Sequence, residues 1–279
     1  MKLMEEENVI KDMEVFPFSD IVYNAPEYEE IWKPKIEKAG GLFHKLEYKT
    51  VKEKKRKCAT IHLRPQNFDE QIERIQEDGL VWLPLRRTET YSGFSHRHYN
   101  KDRIDMNTSV YGVLSHDIEY AREFKNASER PVNHEILAEL LGFPECCASK
   151  FTDSFAKFRD PLFQAAEESG EKVDDTTIKT KINIGTHQLL RYAGFRIASH
   201  LPCSFDCENS QEVSKNIWIP TAKEFYPEEY KILKEILMME GSWSVNHGVV
   251  VVTLPPFTVV SNSIPTKEEY EVIWEEVID

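Results

Sequence analysis

Leu42-Phe43-His44-Lys45-Leu46-Glu47-Tyr48-Lys49-Thr50-Val51 decides how the N-terminal part of the chain is read. Apolar and polar residues alternate through it, the period-two pattern of a half-buried strand. A basic stretch follows, and Lys57-Cys58-Ala59-Thr60-Ile61-His62-Leu63 alternates again, so the two runs predict a β-hairpin with a charged tip. Upstream, Glu14 to Tyr23 has strand-like content. Asn24 then offers a helix cap, and an amphipathic run from Pro26 to Ala39 stops at Gly40-Gly41. Downstream, Asn67 with Glu70 three residues on resembles a capping box for a helix ending at Gly79, and Leu80 to Leu85 completes the series as a strand. The order β-α-β-β-α-β predicts a ferredoxin-like unit over residues 1–85.

Residues 86–279 are expected to form a second, mostly helical domain. Helices are predicted from Ser115 or His116 to Ser128, from Asn133 to Gly142, from Pro144 to Phe158, over 161–170 and 180–193, after Cys207, and from Pro227 to Glu240, with Thr266 capping a last one. Phe195 to Leu201 is predicted as a short strand, and Ser242 to Leu254 with Phe257 to Ser261 as a short C-terminal hairpin broken by Pro255-Pro256. The fold class expected is therefore α+β.

Hydrophobic residues at 41% and charged residues at 30% exclude a disordered chain. Met1 to Lys11 is acidic and polar, without the apolar run of a secretory signal, and the apolar stretch Val249 to Leu254 is too short to span a bilayer. A cytoplasmic location is expected, with no membrane partner. The net charge of −13 disfavours nonspecific nucleic-acid binding, which rests on clustered Lys and Arg.

In a reducing compartment, grouped cysteines point to metal binding, redox or nucleophilic chemistry more than to disulfides. Cys58 stands alone in an apolar pattern and is predicted to be a small buried hydrophobe. The other four cysteines fall in two segments. In Gly142-Phe143-Pro144-Glu145-Cys146-Cys147, Pro144 favours the first helical turn and leaves both thiols near the positive end of the helix dipole. In His200-Leu201-Pro202-Cys203-Ser204-Phe205-Asp206-Cys207, the three-residue gap sets Cys203 and Cys207 on one side of a helical turn, with His200 able to approach from the preceding strand. The spacing matches neither paired zinc knuckles, nor common iron–sulfur runs, nor the zinc-deaminase signature. Adjacent helical residues point about 100° apart, so a single zinc ion is expected to take His200, Cys203, Cys207 and one of Cys146 and Cys147. An iron–sulfur cluster, being larger, would accept both.

These two segments resemble an uncharacterised archaeal and prokaryotic domain family of unknown function with Gly-Phe-Pro-x-Cys-Cys and His-x-Pro-Cys-Ser-x-x-Cys motifs. The resemblance runs from about Arg86 through Ser261 and takes in Arg86-Arg87-Thr88-Glu89-Thr90-Tyr91 and Trp243-Ser244-Val245-Asn246-His247-Gly248. It implies a shared site and supplies no reaction.

Two further segments bear on function. The loop from Arg86 to Arg103 carries Arg86, Arg87, Tyr91, Arg97 and His98, whose guanidinium forks suit phosphate or carboxylate; solvated charges on a polar loop are the plainer alternative. His96 and His98, two apart, are also able to share a strand face as ligands. His247 before Gly248 is either a strand-entry residue or a general acid/base. His187, in an apolar surrounding, is expected to be a core histidine. The leading expectation is a zinc- or iron–sulfur-dependent enzyme acting on a small anionic or nucleotide-like substrate, with Cys203, Cys207 and His247 catalytic. The alternatives are a zinc-stabilised binding module and a thiol redox protein cycling Cys203 and Cys207.

Overall fold

Residues 42–52 are a helix, not a strand, in the computed structural model, which describes residues 19–89, 108–156, 160–262 and 268–278. This overturns the ferredoxin-like unit. The buried residues are Leu42, Phe43, Leu46, Glu47, Thr50 and Val51, two adjacent rows at a spacing of four. A spacing of four satisfies the strand period of two and nearly satisfies the helical 3.6, so Leu42, Leu46 and Thr50 fit both patterns. The second row, Phe43, Glu47 and Val51, belongs only to the helix. Gly41, with φ of 79°, supplies the left-handed turn that separates it from the preceding helix.

In chain order the N-terminal elements are β1 (Ser19–Tyr23), α1 (Pro26–Ala39), α2 (Leu42–Lys52), β2 (Cys58–Leu63), α3 (Phe68–Glu77), β3 (Val81–Glu89) and β4 (Thr108–Ser115). Strands β2 and β3 both pair antiparallel with β4, which lies between them. The boundary expected at 85/86 thus falls inside β3, and the central strand of this small sheet follows it. Helices α4 (Ile118–Ala127), α5 (His134–Leu141), α6 (Glu145–Ala156) and α7 (Pro161–Ser169) come next. The stretch predicted as a helix over 180–193 holds the end of a strand, β6 (Thr177–Asn183), preceded by the two-residue β5 (Glu171–Lys172). Its pattern of buried Thr177, Ile178, Thr180 and Ile182 against exposed Lys179 and Lys181 is that of a strand. The strand expected over 195–201 is irregular chain.

Helix α8 (Glu208–Val213) continues through a π-helical turn, Ser214–Trp218, into α9 (Ile219–Phe225), followed by α10 (Pro227–Leu237). The C-terminal hairpin is in fact part of a seven-stranded mixed sheet. Strands β7 (Gly241–Asn246), β8 (Val249–Thr253), β9 (Phe257–Asn262) and β10 (Tyr270–Ile278) join it in the order β1-β9-β8-β7-β10-β6-β5. The final segment is a strand where a capped helix was expected, and it pairs parallel with β6 and antiparallel with β7. His247 (φ 50°) and Gly248 (φ 79°) form the tight β7–β8 turn, both left-handed as a two-residue hairpin loop requires.

The larger core lies on the seven-stranded sheet and contains Trp218, Trp243, Trp274, Phe163, Phe205 and Phe257. The small sheet packs Ala59, Leu63, Trp82 and Leu114 with Ile75 of α3. Helix α2 serves both, with Leu42 and Leu46 in the first core and Val51 in the second. Behind it Arg56 and Glu47 form a buried ion pair at 3.1 Å; Arg56 Nε also donates to the Leu141 carbonyl at 2.7 Å, and its guanidinium lies over the Trp218 ring. That contact fixes the end of α5, and hence the start of the segment that carries Cys146 and Cys147.

Candidate metal centre

Gly142 ends α5 in the left-handed conformation, and the Phe143 amide donates back to the Ala138 carbonyl at 2.8 Å. The Pro144 carbonyl then accepts from the amides of Cys147 and Ala148, both at 3.0 Å, so the first turn of α6 begins there. Side chains in a first helical turn lean back past the helix end. That tilt lets two adjacent cysteines converge on a point beyond the N-terminus, which the angular argument from sequence did not allow for.

The opposite wall is the irregular segment leading into α8. Phe205 is wholly buried; its carbonyl accepts from Thr186 Oγ1 at 2.6 Å and its amide donates to Ser169 Oγ at 3.2 Å. The Cys207 amide closes a turn onto the Ser204 carbonyl at 3.2 Å, and the Cys207 carbonyl accepts from Gln211 as α8 starts. A second helix N-terminus is thereby turned toward the first, a favourable seat for thiolates.

Between these walls the four sulfurs of Cys146, Cys147, Cys203 and Cys207 all lie within 4.8 Å of one another. Cys146 and Cys147 are 3.9 Å apart, and each is 3.8 Å from Cys207. A tetrahedron of sulfurs at zinc–sulfur bond lengths of roughly 2.3 Å has edges of about 3.8 Å. The Cys203 amide donates to the Cys147 sulfur at 3.4 Å, and Asn209 Nδ2 donates to the Cys146 sulfur at 3.5 Å. Cys147 and Cys207 are buried, Cys203 is half-buried and Cys146 is exposed.

The neighbouring thiols and burial act unequally on the cysteines. Burial pushes the Cys147 thiol well above its ordinary range, and burial together with Cys207 pushes Cys203 up to about 12. Burial works the same way on Cys146, but hydrogen bonds from Asn209 and the neighbouring cysteines outweigh it and hold that thiol low. A metal ion in their midst would favour the thiolate form of each ligand.

His200 is not one of the converging groups. It is buried beneath the site, 2.5 Å from Ser210 Oγ through Nε2, and its ring packs on Phe143. Burial, reinforced by the charges of Arg56 and Arg191, pushes its pKa down to about 3, so it stays neutral. His247 is exposed in the β7–β8 turn and lines neither cleft beside the cysteines. Arg86 and Arg87 are exposed on β3, with Arg86 over the Tyr111 ring, and they too are absent from both linings. Tyr91, Arg97, His98 and His96 lie outside the described residues.

A cleft of about 730 Å³ opens beside the centre between Pro144–Glu145 and one face of the α8–π–α9 helix. Asn209, Glu212, Val213, Asn216 and Ile217 line that face at helical spacing, and none of them stood out in the sequence. Their i, i+3, i+4, i+7, i+8 pattern is legible there, but a mixed polar and apolar face gives no signal until its partner is known. A second, smaller cleft includes Lys150, Asp153, Glu168 and Cys203, and Cys146 and Ser149 belong to both.

The fold and the site define an α+β protein with four cysteines positioned to bind a metal. No family model matches the chain, and no curated protein or solved structure matches it either.

Proposed function

We propose that the chain is a zinc protein in which Cys146, Cys147, Cys203 and Cys207 hold a single ion, tying the start of α6 to the approach to α8. The observation that carries this reading is the sulfur spacing, whose three stated edges of 3.8 to 3.9 Å fit one tetrahedral ion. A cubane iron–sulfur cluster binds each cysteine to a different iron and spreads the sulfurs farther apart than the 4.8 Å limit here. Sulfur-only tetrahedral coordination suits zinc and, in the second place, a single iron.

Four protein thiolates also fill the coordination sphere. A catalytic zinc that activates water keeps one position open, so chemistry at the metal itself is disfavoured and a clamp is favoured. This moves the functional reading from a metal-dependent enzyme toward a zinc-stabilised module.

The test is metal analysis of anaerobically purified protein with X-ray absorption at the metal edge. One zinc per chain with four sulfur neighbours at about 2.3 Å is expected. Iron with acid-labile sulfide, or less than one tightly bound ion, overturns it.

A further inference from the structure

We propose that Cys146 is a nucleophile: its zinc-bound thiolate accepts an alkyl group from a cationic donor of the sulfonium class seated in the 730 Å³ cleft. The inference rests on the four-thiolate zinc reading above and adds an activity to it.

The four ligands are chemically alike but unequally placed. Cys147 and Cys207 are buried, whereas Cys146 is exposed and stands where the two clefts meet. An electrophile entering the larger cleft meets that sulfur first. Cys147 accepts a hydrogen bond from the fixed Cys203 backbone, which draws charge from the sulfur. The bond to Cys146 comes instead from the Asn209 side chain, which can rotate away and expose the lone pair.

The lining selects the donor. Glu145 and Glu212 bring two carboxylates to the larger cleft, and among the described residues no lysine or arginine lines it. Four thiolates on a divalent ion add two further negative charges, so the potential favours a cation and opposes the small anion anticipated from sequence. Val213 and Ile217 supply an apolar wall beside Phe143, whose ring already lies against Arg56 and His200. A sulfonium suits this lining, because its charge sits among alkyl groups and is matched by apolar contacts and carboxylates rather than by hydrogen-bond donors.

In the step, the Cys146 sulfur attacks the α-carbon of the sulfonium. The new S–C bond forms as the C–S⁺ bond breaks, and the bonding pair departs with a neutral thioether. No proton or redox equivalent is required, and the charges of thiolate and sulfonium cancel. The product is S-alkyl Cys146, one group per chain.

The test uses the zinc-loaded full chain with two methyl donors, trimethylsulfonium and neutral methyl methanesulfonate, followed by peptide mapping and zinc analysis. Methylation confined to Cys146, more than tenfold faster with the cation than on the thiol of Cys58 or of the urea-unfolded chain, is the expected result. The double variant Glu145→Gln, Glu212→Gln should lose most of the sulfonium rate and keep the methanesulfonate rate. Modification of Cys203 or Cys207 first, or equal rates with folded and unfolded chains, overturns the nucleophile. Equal slowing of both donors in the double variant, or none, overturns the cation-selective cleft. Absence of zinc from the starting protein is scored separately, as failure of the underlying metal reading.

Discussion

The Cys203 amide points its hydrogen at the Cys147 sulfur, 3.4 Å away, across a separation of 56 residues. The bond joins the two halves of the centre through the backbone itself, so the position of one cysteine depends on the chain path of the other. Backbone amides that donate to ligand sulfurs orient those ligands and spread their charge.

Removing the ion should therefore loosen both segments together. A strong chelator, or Cys207→Ser, is expected to abolish stoichiometric zinc and lower the thermal midpoint by several degrees, because metal affinity is folding energy in such a site. Cys58→Ser should keep full zinc, since Cys58 is buried in a separate cluster on β2. Metal analysis and differential scanning calorimetry on the three samples check this; unchanged zinc in Cys207→Ser would count against the assignment.

Acid should destabilise the fold before the carboxylates as a group are protonated. His187 and His200 are buried, and each is pushed from an ordinary 6.5 to about 3. Between those values the unfolded chain binds protons that the folded chain refuses, so stability falls as pH drops below 6.5, by ~1.4 kcal/mol per pH unit for each group. Asp160 acts in the opposite sense: burial raises it from 3.8 to about 6, and its contribution grows as pH falls through that interval. The two histidines outweigh the one aspartate. Urea unfolding at pH 7 and pH 5 should show a shallower pH dependence in His187→Leu than in the native chain, with the metal's own acid sensitivity common to both.

The Arg56–Glu47 pair gives a test of packing. Arg56→Met leaves Glu47 buried without its partner and should cost about 3–5 kcal/mol. Adding Glu47→Leu should return most of that loss, because two apolar groups bury without a desolvation penalty. Chemical denaturation of the single and double variants measures the difference.

Gly112 lies opposite Pro84 and Ile61 in the middle strand of the small sheet, and a Cβ placed there would meet the Trp82 ring at 2.2 Å. Gly112→Ala should destabilise the fold by about 1–3 kcal/mol through forced movement of the indole. A fluorescence-monitored melt that matches the native chain would refute this close packing.

How much of this was legible before folding differs from element to element. Some local capping and stop signals worked, in that Asn133 caps α5 with a bond to the Ile136 amide, Gly142 ends it and Pro227 opens α10, whereas Asn67 makes no side-chain cap bond at α3. Asn24 is different, because its side chain donates to the carbonyls of Leu254 and Pro255 in the large sheet, a use no local pattern announces. The strand β4 and the parallel partnership of β6 with β10 are long-range pairings, for which short apolar runs carry no direction or register. Within Ser242 to Leu254 the turn went unseen because His247, not glycine or asparagine, occupies its first left-handed position. In the centre, the four cysteines were legible as a group. That Cys146 and Cys147 act together, and that His200 serves Ser210 rather than the site, depends on the tilt of a helical first turn and on a buried hydroxyl.

Helix α2 has a consequence for how the molecule comes apart. Since Leu42 and Leu46 are anchored in one core and Val51 in the other, neither sheet can open without stripping this shared helix from its seat. Its central amides should therefore exchange with solvent deuterium only through global opening, at the slowest rate in the chain and equally slowly at both ends of the buried stripe. Hydrogen exchange would register the two sheets as one cooperative unit, and a cut anywhere between Leu42 and Val51 would dissolve both.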